Sequence, residues 1–164
     1  MFQLNPVDLR RLDLVVPGLN VARGLPLIID VTVLSPLTRQ GAPRGGTSNR
    51  GGSLLEHARD ENDDTYAEVI STGLGSLQCL GCEVFGRWGD QCVKLVPALA
   101  RERSRGLHPR LRRGFALSLQ NRWWGILGVA PQRAVAHIVL NREGGDLMPA
   151  QWEPDFFLAD LAAL

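Results

Sequence analysis

The apolar positions of the chain follow two periodicities. Over residues 12–16, 27–34 and 76–85 they form short runs, rich in β-branched residues or cysteine and closed by Pro, Gly or Ser, as strands do. Over residues 54–70, 90–105 and 110–140 they recur at helical spacing, with Val93, Val96, Leu99 and Ala100 on one face of the middle stretch. Ser53 stands at the N-cap position of the first helix, and Asp90 caps the second. Pro97 is expected to kink the second helix or reset its start, and Pro131 to break the last helical region. Pro17-Gly18 turns the chain between the first two strands. They therefore read as a hairpin or meander with Asp13 and Asp30 on neighbouring strands, in a register that the sequence leaves open. The whole predicts an α/β, mixed α+β domain: a small mixed sheet flanked by helices.

One stretch fits neither period. Residues 38–53 contain Gly41, Gly45, Gly46, Gly51 and Gly52 with Arg39, Arg44 and Arg50, and no apolar residue larger than Ala or Pro lies between Arg39 and Ser53. Such a segment has nothing to bury and is expected to be a mobile loop inserted in the domain. It lacks a Gly-Lys-Ser/Thr ending, which excludes a P-loop. Two readings stay open, a solvated insertion and an Arg-Gly segment touching nucleic-acid backbone. Residues 1–142 are taken as the domain, and 143–164 as an acidic, apolar C-terminal tail.

A chain of 164 residues with 45% hydrophobic and 21% charged residues is long enough for one domain with a real core. Its net charge of +1 singles out no partner. Lys94 is the only lysine among the 18 Lys and Arg residues, so any chemistry that needs a lysine has one candidate. Cys79, Cys82 and Cys92 make an odd count without a leader sequence, which suggests a reducing, intracellular compartment. Cys79-Leu80-Gly81-Cys82 has zinc-knuckle spacing, but no second pair follows and His57, His108 and His137 are scattered. The cysteines read instead as small buried strand residues and free thiols, with no zinc. Residues 114–140 are the most apolar region, yet Arg122 and Arg133 interrupt them, so no membrane span is expected.

The candidate chemistry lies in misplaced charge. Asp30 sits within Leu27-Ile28-Ile29-Asp30-Val31-Thr32-Val33-Leu34, where an ionised carboxylate is costly unless a cation, a metal or strong donors meet it. The competing reading is a strand-end carboxylate bonded to loop amides. Glu83 repeats the pattern in Cys82-Glu83-Val84-Phe85, and Asp13 lies near the start of the first strand. Asp13, Asp30 and Glu83 are therefore the candidate catalytic and metal-ligating residues, and an all-oxygen set of this kind suits Mg²⁺ or Mn²⁺. Arg101, Arg103 and Arg105 end one helix and Arg110, Arg112 and Arg113 begin the next, making a candidate nucleic-acid-binding surface. Trp123 and Trp124 read as core or interface anchors.

Four segments together support a resemblance. Arg11-Leu12-Asp13-Leu14-Val15-Val16, the run from Leu27 to Ser35-Pro36, Thr65-Tyr66, and Glu83-Val84-Phe85-Gly86-Arg87-Trp88 resemble the restriction-endonuclease-like domain that follows the reverse transcriptase in some non-LTR retrotransposon polyproteins. The Arg-rich, Trp-containing stretch 110–140 resembles the end of reverse-transcriptase reading frames of dinoflagellate type. The resemblance covers about residues 8–140 and rests on the order and spacing of short motifs. It implies a PD-(D/E)xK nuclease fold that nicks nuclear DNA with Mg²⁺ or Mn²⁺ for target-primed reverse transcription, with DNA or RNA as partner. Asp13 then takes the first metal-ligand place, where Leu-Asp replaces the family's Pro-Asp, Asp30 takes the second, and Tyr66 takes the helix tyrosine. The family's lysine precedes that tyrosine by three or four residues, where this chain has Asp63 and Asn62. Lys94 lies in no supporting motif, and Arg59, one turn further back, is a poor proton acceptor. The chain begins almost at the first strand and carries no polymerase domain, so it reads as a retroelement remnant or truncated fragment, weak or inactive as an enzyme. The alternative is a non-enzymatic domain that binds nucleic acid or protein through its Arg-rich helices.

Overall fold

In the computed structural model, residues 12–47 and 49–143 are described, the last three by their backbone alone. The tail expected at 143–164 lies outside the described residues except for the backbone of Glu143. By its internal contacts the chain divides into Met1–Gln132 and Arg133–Leu164. The described part of the second unit is the closing turns of a helix, and the sheet and its helices belong to the first.

The architecture is mixed α+β. Strand β1 (Leu14–Val16) leads through a 3-10 turn (Asn20–Ala22) into β2 (Leu27–Leu34). Helices α1 (Ser53–Thr65) and α2 (Ala67–Thr72) connect β2 to β3 (Ser76–Glu83), and α3 (Asp90–Ser104) and α4 (Pro109–Glu143) follow. The sheet order is β1-β2-β3, with β1 antiparallel to β2 and β3 parallel to it. The parallel pair follows from the long helical crossover, since a tight turn can join only antiparallel strands.

β2 is central, and its first residues are buried on both faces: Leu27, Ile28 and Ile29 are 2%, 1% and 6% exposed. Leu27 and Ile29 pack with Ala22 and Leu95 beneath α3, and Ile28 packs with Tyr66, Val69 and Leu77 beneath α1 and α2. Strand alternation puts Asp30 on the Ile28 face, under α1. A further cluster of Ala100, Ala116 and Leu119, with Phe115 and Trp123 against it, joins α3 to α4. Among the described residues no helix is long and apolar enough to cross a membrane.

Several boundaries differ from expectation. Gly52, at φ 88°, is the residue before α1, and Ser53 is already inside the helix with its Oγ buried and without a hydrogen-bond partner. The entry needs a left-handed residue, which glycine adopts at no steric cost. The helix expected over 54–70 is interrupted at Tyr66, whose N–H bonds Asn62 O at 3.0 Å while its ring is buried in the core. Asp60, Glu61, Asp63 and Asp64 crowd the last turns of α1, where negative charge opposes the helix dipole. β3 ends at Glu83 rather than Phe85, because a turn closed by Gly86 N–H to Glu83 O carries Phe85 into solvent at 68% exposure. Gly89, not Asp90, precedes α3, and Pro97 lies inside α3. Pro131 lies inside α4 without ending it. The ring removes one helical hydrogen bond, while Gln132 Nε2 anchors the same turn by donating to Val84 O at 2.9 Å.

Residues 38–47 and 49–52 are irregular, as expected, but built of their own turns. Thr38 N–H bonds Ala42 O and Arg44 N–H bonds Pro36 O, each at 2.8 Å. The outer edge of β3 is covered at its C-terminal end by its own following turn, where Glu83 N–H bonds Arg87 O and Gly89 N–H bonds Gly81 O. A covered edge does not template foreign strands.

Candidate functional site

The antiparallel register sets Leu14 opposite Ile29, which brings Asp13 opposite Asp30 at the open end of β1. Asp13 Oδ2 accepts the Val31 N–H at 2.7 Å and so extends the ladder with a side chain. Asp30 Oδ2 accepts Asn62 Nδ2 from α1 at 2.8 Å and Thr32 Oγ1 at 3.5 Å. These partners are side chains, so Asp30 is not a strand-end residue bonded to loop amides. Burial foremost, then the Asp13 charge, raises the Asp30 carboxyl above the ordinary carboxylate value, and the Thr32 bond opposes the rise.

Asn62 is 8% exposed, and its Oδ1 is buried without a hydrogen-bond partner. Tyr66, the motif tyrosine, lies in the core one turn later and ties its N–H to Asn62 O, which holds this turn of α1 against β2. Cys79 pairs with Asp30 in the β2–β3 register. Its thiol is pushed up to about 11, by burial first and then by Asp30 and Asp63. A protonated thiol of this kind is a poor metal ligand. Asp63 turns to Arg59 Nε at 3.6 Å.

Glu83 does not join this group. It is in register with Leu34, four positions beyond Asp30 and Cys79, or about 13 Å along the strand. Its side chain is 8% exposed and is met by Arg87 Nη1 at 3.7 Å. The buried charge is thus answered by an arginine, not by the two aspartates. Among the described residues no three His, Cys, Asp or Glu side chains stand together as a metal cluster. What converges is two carboxylates and one amide. Their oxygens suit a hard divalent cation such as Mg²⁺, which binds through one or two carboxylates and keeps several waters. Asp13 and Asp30 would hold it, with Asn62 Oδ1 as the remaining unpartnered oxygen.

All three cysteines are buried free thiols. Lys94 is exposed and pairs with Asp90 at 3.7 Å on α3, on the other side of the sheet from Asp30. The six arginines separate into two sets. Arg101, Arg105, Arg112 and Arg113 line a groove of about 620 Å³ between α3 and the start of α4, whereas Arg103 and Arg110 lie outside its lining. Trp123 packs on the α3–α4 cluster, as an anchor would.

Two features escaped sequence reasoning. Arg87 as the partner of Glu83 is signalled only by a four-residue spacing within a turn. The contact between Asn62 and Asp30 depends on where α1 lies over the sheet, which no local pattern encodes. No family model, curated protein or solved structure matches this chain.

Proposed function

We propose that this chain is a restriction-endonuclease-like domain of retroelement origin whose metal-dependent DNA-nicking site has decayed. The observation that carries the reading is the Asn62–Asp30 hydrogen bond at 2.8 Å. It puts the helix position where the resemblance expects a lysine directly against the second candidate metal ligand. A lysine there would neutralise phosphate charge and orient the attacking water. The neutral amide of Asn62 brings no charge to neutralise phosphate, and Asp63 adds negative charge one residue on. A divalent ion bound by Asp13 and Asp30 would supply charge stabilisation and an activated water. The chain's own contribution is then limited to holding those carboxylates side by side. Such a domain would act on nuclear DNA.

A second reading is a non-enzymatic module that binds through its Arg-rich helices. The gathering of four of the six arginines in one groove favours it.

Nicking of supercoiled plasmid with Mg²⁺ or Mn²⁺ tests the first reading. The natural chain is expected to cut barely, because a general acid–base or positioning group contributes about 10²–10⁴-fold to rate. Asn62→Lys is expected to raise cutting, and Asp30→Ala in that background to abolish it. Brisk cutting by the natural chain, lost in Asp30→Ala, would show that the site is intact. No gain in Asn62→Lys, together with no effect of metal on the protein, would refute the nuclease ancestry of this site.

A further inference from the structure

We propose that the groove between α3 and the start of α4 binds the phosphate backbone of single-stranded nucleic acid without reading its sequence. The inference rests on the second reading above and is independent of the carboxylate site, which lies under α1 on the opposite face of the sheet.

The groove presents four guanidinium groups against one carboxylate, Glu102. That carboxylate is already engaged, accepting Asn20 Nδ2 at 2.6 Å and pairing with Arg105 Nε at 2.9 Å. Arg112 Nε donates to Leu107 O at 2.9 Å, which fixes the guanidinium at the mouth of α4. Among the described residues no carboxylate lies within ion-pair distance of Arg101, Arg112 or Arg113. A concave surface with three unanswered guanidinium groups attracts polyanions, and the planar fork of arginine matches phosphate oxygens.

Shape narrows the class of ligand. Ala116, from the buried cluster that joins α3 to α4, is part of the groove's lining, and a groove of about 620 Å³ is too small to take in a duplex. Val21, Ala98 and Leu117 contribute apolar wall, which suits the sugar edge of a nucleotide strand. No aromatic side chain is among the lining residues, so the groove has no platform for base stacking. Binding there is therefore electrostatic and tolerant of sequence.

The test is fluorescence anisotropy of a labelled oligothymidylate of about 16 nucleotides with the full chain in EDTA, across a salt series. Three phosphate contacts predict a slope of about −2 in log K against log salt. Replacing two of the groove arginines, R101Q/R113Q, should flatten that slope by about 1.4 and weaken binding about 25-fold at 0.1 M salt. The matched control R103Q/R110Q removes the same charge outside the groove and should weaken binding by less than about threefold. All four substituted side chains are exposed, so circular dichroism should show an unchanged fold. Equal weakening by both doubles would overturn the groove while leaving a general Arg-dependent binding surface in place. Displacement of the oligonucleotide by polyglutamate at equal charge would overturn it in favour of an acidic peptide. Equal or tighter binding of duplex, or no binding at all, would overturn it outright. Should R101Q/R113Q fail to fold, ultraviolet cross-linking of the natural chain decides. Adducts within residues 98–120 support the proposal, and adducts confined elsewhere refute it.

Discussion

Asp30→Asn is the most informative single substitution, because it keeps shape and removes charge. The carboxyl of Asp30 is held above its ordinary value of 3.8 by burial and by Asp13. The folded chain therefore binds this proton more tightly than the unfolded chain. Below the ordinary value both states are protonated and Asp30 costs nothing. As pH rises through the folded value the folded state loses stability, and the loss is complete at neutral pH. The variant should match the natural protein at pH 3 and exceed it at pH 7. Like charges facing each other on paired strands cost roughly 0.2–1 kcal/mol, and Asp30 is only half-buried, so the gain should stay within that range. The Asn62 amide keeps an acceptor, because Oδ1 of the new side chain can take its proton. A gain of this size raises the melting temperature by up to about 4 °C for a chain of this length. Thermal unfolding in EDTA, followed by circular dichroism, reads it directly. Millimolar Mg²⁺ should reverse the ranking. A site filled at about ten times its Kd adds about 1.4 kcal/mol to the natural protein and nothing to the variant. If Asp30→Asn is less stable at pH 7 in EDTA, the Asp30 charge is a structural asset and the argument fails. If the variant keeps the Mg²⁺ response, the cation does not bind between Asp13 and Asp30.

Other consequences can be measured on the same protein. Gly75→Ala would place a Cβ 2.5 Å from Ile28 Cδ1 and 3.0 Å from Pro26 O, so it should destabilise by about 1–3 kcal/mol in urea titration. Tyr66→Ala empties the core beside Ile28, Val69 and Leu77 and loosens the turn that holds Asn62, with an expected loss of about 3–5 kcal/mol. Arg87→Ala leaves the buried Glu83 carboxylate without its partner; the loss should shrink in the double variant with Glu83→Gln, and equal losses would show that the two side chains do not interact. Burial pushes the thiols of Cys79 and Cys82 up to about 11 and that of Cys92 up to about 12, so none should react with a thiol reagent at pH 8 until the chain unfolds.

The strand from Leu27 to Leu34 was legible to the residue, because an apolar β-branched run between Pro26 and Ser35-Pro36 has one way to fold locally. β1, β3 and the helices were legible as elements for the same reason, each being defined by its own hydrophobic period. Their ends were less so. Whether Gly52 or Ser53 starts α1, and whether Pro131 stops α4, depends on what the adjoining residues bury and bond, and a window of sequence does not contain that.

The site divides in the same way. The sequence by itself determined that Asp30 and Glu83 are charges in apolar strands, that Asp13 and Asp30 stand on neighbouring strands, and that the single lysine lies far from both aspartates in the chain. Only the tertiary structure decided which partner each charge meets. Register separates Glu83 from Asp30 by four positions and hands it to Arg87, while the placement of α1 across the sheet delivers Asn62 to Asp30. Likewise the six arginines are evident as a composition, but the packing of Ala100 against Ala116 selects which of them share a groove. The physical reason is common to all of these. Local pattern sets the free energy of an element, whereas the partner of a buried or clustered charge is set by contacts between residues far apart in sequence, which form only once the elements have docked.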